Sequence, residues 1–87
     1  MIASSARLAG EVVVDDHGED VARLERVMID VASGRVAYVV LACGGVLGIG
    51  ERRYAVAWKD LRLDPKRRYL VLERQLADVE RTAAQLP

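Results

Sequence analysis

Apolar residues fall in short runs along this chain, and most runs end at glycine, aspartate or proline. Residues 8–14 close on Val12, Val13 and Val14, a β-branched series that predicts a first strand. Residues 15–18 read Asp-Asp-His-Gly and predict a turn, because Asp tolerates turn geometry and Gly accepts positive φ. Residues 21–31 are apolar at Val21, Leu24, Val27 and Ile29, so the step changes from three to two partway along. The stretch 20–26 also fits the first turns of a helix. A long strand with a bulge suits the whole segment better, since a bulge shifts the facing by one residue.

After a turn at residues 32–34, residues 36–42 carry the strongest strand signal. Val36, Tyr38 and Val40 lie on one face, with Ala37, Val39 and Leu41 on the other. A strand with one wet face alternates with polar residues, so this one is expected to be covered on both sides. Residues 44–50 form a glycine-rich loop carrying Val46, Leu47 and Ile49. Residues 52–58 predict a fourth strand, with Tyr54, Val56 and Trp58 alternating with small alanines and Trp58 expected in the core. Residues 61–64 and 69–73 predict a hairpin around 65–68, where Pro65 presets the turn φ. From residue 74 to 86 the period lengthens: Leu76, Val79, Ala83 and Leu86 mark an amphipathic helix.

Many short strands in so small a chain point to a mainly β fold, closed or nearly closed into a barrel, which removes sheet edges. The expectation is one domain over residues 1–87. A small barrel of about five or six strands occupies about 8–73, and the C-terminal amphipathic helix about 74–86.

The ordered motifs resemble the PRC-barrel family. Val14-Asp15-Asp16-His17-Gly18-Glu19-Asp20-Val21, Leu24-Glu25, Ile29-Asp30 and Ser33-Gly34-Arg35-Val36 are similar to the family's first half. Gly44-Gly45-Val46-Leu47-Gly48-Ile49-Gly50-Glu51, Val56-Ala57-Trp58 and Leu61-Arg62 are similar to its second half. The family often has Gly at the place of Ala22 and Pro at the place of Ala57; both alanines are compatible with a strand. The resemblance implies a small β-barrel used as an assembly module, as in the cytoplasmic part of the photosynthetic reaction-centre H subunit and the C-terminal domain of a ribosome maturation factor. Neither of those functions transfers with the barrel alone.

Charge narrows the partners. Thirteen basic and thirteen acidic residues leave a net charge of zero, so net charge gives no electrostatic drive toward nucleic acid or an anionic membrane and leaves only a local basic patch open. Cys43 is the sole cysteine, which excludes an internal disulfide and fits a reducing compartment. Residues 1–7 lack the apolar region of a signal peptide, and the uncharged stretch 36–50 is too short and too glycine-broken to span a membrane. A cytoplasmic protein is expected.

Candidate chemistry is sparse. His17 is the sole histidine and falls in a predicted turn beside Asp15, Asp16 and Glu19, where a solvated residue is the ordinary reading. The acidic cluster Asp15, Asp16, Glu19 and Asp20 lacks the ligand spacing of a calcium loop. Gly48-Ile49-Gly50 lacks the third glycine of a dinucleotide fingerprint and the Gly-Lys-Ser/Thr of a phosphate loop. Cys43 ends an apolar run with no cation close in sequence, as a structural cysteine does. No catalytic, metal or cofactor site is therefore expected, and no enzyme. Val46, Leu47 and Ile49 are the candidate interaction surface: apolar side chains on a glycine-flanked loop either plug the barrel end or meet a partner. The leading expectation is a protein-interaction or assembly module that self-associates as a homodimer. The alternative is an RNA- or ribosome-associated accessory factor using Arg52, Arg53, Lys66, Arg67 and Arg68.

Overall fold

In the computed structural model, which describes residues 4–44, 50–64, 66 and 69–86, most of the expected runs become strands. The order is α1 (Ser5–Leu8), β1 (Val12–Val14), β2 (Asp20–Asp30), β3 (Arg35–Cys43) and β4 (Arg52–Val56). A 3-10 turn at Trp58–Asp60 follows, then β5 (Leu61–Asp64), β6 (Tyr69–Leu72), α2 (Leu76–Thr82) and β7 (Ala84–Leu86). The fold is mainly β. Both early turns are set by an aspartate reaching forward to free backbone donors. Asp15 Oδ1 accepts from the N–H groups of His17 and Glu19, each at 2.9 Å, and Asp30 Oδ1 accepts from Ala32 at 2.9 Å and Ser33 at 3.2 Å. Gly18 and Gly34 complete these turns at φ 81° and 74°, where a Cβ is strained.

One sheet runs in the order β5-β6-β1-β2-β3-β4-β7. Neighbours are antiparallel except β1 and β6, which are parallel with Val13 opposite Leu70. Seven strands are present among the described residues, against the five or six expected. The edge strands β5 and β7 do not pair with each other there.

The helix-like steps of β2 have a physical cause. Its register skips Val21 against β1 and Glu25 against β3. Each extra residue turns the strand by one facing, so Val21, Leu24 and Val27, three apart, all reach the same core. A further irregularity between Met28 and Ile29 leaves Ala37 as the extra residue of β3.

Two terminal segments differ from expectation. Residues 8–14 are not all strand, because α1 forms first: Ser4 Oγ accepts from Ala6 N–H at 3.2 Å, and Gly10 at φ 88° redirects the chain into β1. The expected helix over 74–86 is shorter. α2 stops at Thr82, the chain turns extended at Ala83, and β7 pairs with β4 through Arg53–Leu86, Tyr54–Gln85 and Ala55–Ala84. The edge of β4 offers a row of backbone donors and acceptors, and pairing them outweighs one more helical turn. Val79 of α2 is fully buried in the core formed by Val13, Leu24, Leu41, Val56 and Leu70, with Leu8, Leu76 and Ala83 packed against it.

Candidate interaction surface

β2 and β3 extend beyond their outer neighbours. β1 pairs with β2 only as far as Arg23, and two backbone bonds, Gly10 N–H to Leu24 O and Leu24 N–H to Glu11 O, end the contact. On the other side β4 pairs with β3 only from Val39 to Cys43. Residues 28–30 of β2 and 35–38 of β3 therefore pair with each other alone and form a two-stranded arm, closed by the Asp30 turn.

The arm carries apolar residues where water reaches them. Ile29 and Val36 are opposite each other in the ladder, 53% and 36% exposed, and Val31 in the turn is 93% exposed. Trp58, expected in the core, is 38% exposed. β4 ends at Val56, so the alternation that would have turned Trp58 inward stops, and the 3-10 turn it opens lies against β3. Cover on both faces of β3 holds for Val39, Val40, Leu41, Ala42 and Cys43, all buried, but not at Val36 and Ala37. Residues 36–42 had the signal for this surface; what hid it was the length of the neighbouring strands, which decides how far cover extends.

Val46, Leu47 and Ile49 lie outside the described residues. The described residues on either side, Cys43 and Arg52, pair with each other at the end of β3 opposite the arm. The flanking Gly44 and Gly50 hold φ 69° and 79°.

The groups considered for chemistry are dispersed. His17 is exposed, with Nε2 3.7 Å from Asp16 Oδ1. The Glu19 N–H holds the Asp15 carboxyl below its ordinary value. Cys43 is buried, and its thiol is pushed up to about 11 by burial, then by the nearby carboxylates of Glu80 and Glu51. Among the described residues no cluster of three His, Cys, Asp or Glu could hold a metal ion. The arginines are largely engaged by acids. Arg53 meets Glu25 at 2.7 Å and Glu51 at 3.0 Å, Arg23 meets Glu51 at 3.0 Å, and Arg52 meets Glu80 at 3.7 Å. Lys66 is exposed, and Arg67 and Arg68 lie outside the described residues. No helix among the described residues is long and apolar enough to cross a membrane.

No curated protein matches the chain. The PRC-barrel domain family matches residues 3–75, a stretch that takes in β1 to β6 and ends before α2. That stretch is most of the chain and contains the ordered acid, glycine and tryptophan motifs, so the chain belongs to the PRC-barrel family.

Proposed function

We propose that this chain is a non-catalytic protein-interaction module that associates with itself as a homodimer in the cytoplasm, its sheet curled into the small barrel of its family. PRC-barrel domains are of the assembly type. The observation that carries the reading is the arm: Ile29, Val31 and Val36 cluster at one end of the molecule, with Trp58 beside the same strand. Scattered exposed apolar residues are ordinary, but a cluster on a projecting ribbon has a reason to be covered. A second copy is the simplest cover, since two-fold dimers are the commonest oligomers. A catalytic role finds little support in an exposed turn histidine and a buried, protonated cysteine. The RNA-contacting alternative is weaker too, because Arg52 and Arg53 already face carboxylates.

Sedimentation equilibrium tests the reading. The expected outcome at high micromolar concentration is a mass near twice 9.6 kDa. A chain that stays near 9.6 kDa overturns self-association.

A further inference from the structure

Beyond Leu24, the outer edge of β2 makes no backbone hydrogen bond to any neighbour among the described residues. Helix α1 lies against β2, but its N–H groups at Arg7 and Leu8 bond back to Ser4 O, and Arg26, Ile29 and Asp30 stay exposed. A strand edge of this kind is a template for another strand. The side chains along it read Arg26, Val27, Met28, Ile29, Asp30, with a cation at one end and an anion at the other. Neither Arg26 nor Asp30 has an ion-pair partner among the described residues, although a ladder position places Arg35 opposite Asp30.

We propose that two copies join edge to edge through this side of β2, residues 26–30 of one running antiparallel to residues 26–30 of the other about a two-fold axis at Met28. This deepens the self-association reading and rests on it. In that register Arg26 of each copy faces Asp30 of the other, Val27 faces Ile29, and Met28 faces Met28. The charges are satisfied twice by one symmetric operation, as an isologous interface requires. Moving the axis one residue along β2 in either direction takes Arg26 away from Asp30, so the charge pattern selects the register as well as the partner. The matching edge of β3 is a poorer template. The 3-10 turn of Trp58 lies against that strand, and a two-fold axis at Val36 would set Arg35 against Ala37 and leave it unpaired. The pairing also gives the exposed Ile29 an apolar cross-strand neighbour, Val27 of the other copy.

Sedimentation equilibrium on charge variants decides it. Arg26→Glu makes the edge wholly acidic and Asp30→Lys makes it wholly basic. Each alone is expected to weaken the dimer about tenfold or more, because two cross-strand attractions become repulsions. An equimolar mixture of the two is expected to dimerise as tightly as wild type. In the mixed dimer the introduced glutamate of one copy faces the introduced lysine of the other, and the second pair is the native Arg26 with Asp30. Asp30 also caps its turn, so circular dichroism checks that Asp30→Lys is folded. If it is not, Arg26→Glu decides alone, its side chain being exposed and without an ion-pair partner among the described residues. A wild-type dimer that is equally tight in Arg26→Glu overturns the edge pairing and leaves self-association standing. A wild-type monomer overturns both.

Discussion

Arg53 of β4 reaches across β3 to Glu25 of β2, its Nε 2.7 Å from Glu25 Oε2. Glu25 is the residue that the β2 ladder skips against β3, so the bulge that redirects the apolar residues also supplies the carboxylate. Between them Ala42 of β3 is paired with Arg23 on one side and Arg53 on the other. Glu51 then closes the group, accepting from Arg53 Nη2 and Arg23 Nη2 at 3.0 Å each. Three strands are thus tied on one face by two arginines and two glutamates over a small residue.

Glu51 is the member whose loss is expected to matter most. Its side chain is only 13% exposed and it bridges two guanidinium groups. Glu51→Ala is expected to lower stability by about 1–2 kcal/mol, at the low end for charged hydrogen bonds because Arg23 is largely in solvent. Urea unfolding followed by tryptophan fluorescence measures this as a lower midpoint with an unchanged slope. An unchanged midpoint would mean that solvent screens the group completely.

Strands and turns were legible where the physics is local. Asp15 and Gly18 announce a turn by their own chemistry, and Val39 and Leu41 announce burial by their composition. The β2 bulges were legible as a change of step, because a skipped residue leaves its mark on which positions are apolar. What local pattern does not encode is the length of a neighbour. Leu86 fits a helical stripe, yet the free edge of β4 draws it into β7. Trp58 fits the alternation of β4, yet that strand stops at Val56. Ile29 and Val36 read as ordinary strand residues; their exposure follows from β1 and β4 ending short of them. The surface expected from sequence, Val46, Leu47 and Ile49, rests on the same burial demand and lies outside the described residues.

Cys43 gives a chemical prediction. Burial pushes its thiol from 9.0 up to about 11, so at pH 8 the folded chain holds on the order of 100-fold less thiolate than an ordinary cysteine. Reaction with a disulfide reagent is expected to be slower than that of the unfolded chain by at least this factor, since access is restricted too. For stability the sign follows: the folded state keeps the proton longer, so this contribution is present below pH 9 and is lost as the pH rises toward 11. Comparable native and denatured labelling rates would show that the β3 end near Cys43 opens readily.

Asp78 gives the opposite dependence, at the acid end. It accepts from Arg74 Nε at 2.9 Å and Nη2 at 2.7 Å, and from Arg81 Nη2 at 2.7 Å. The Arg74 bonds chiefly, then the Arg81 bond, hold its carboxyl below 3.8. Arg74 also bonds Asp60 at 3.3 Å and Thr82 Oγ1 at 2.6 Å, so the cluster fastens α2 to the turn before β5 and seats Val79 in the core. A depressed carboxyl favours the folded state above its ordinary value of 3.8, and that contribution is lost as the pH falls through the lower folded value. Asp78→Asn removes the charge at every pH. It is therefore expected to lower the melting temperature at pH 7 and to make the further drop between pH 5 and pH 3 shallower than in wild type. Asp15 is depressed as well, by its bond from the Glu19 N–H, so the slope is expected to diminish without vanishing. Adding Asp15→Asn removes that second contribution. Melting curves recorded across this range by circular dichroism check the order: wild type steepest, Asp78→Asn shallower, the double variant shallowest. A single variant with the wild-type slope would place the acid sensitivity elsewhere.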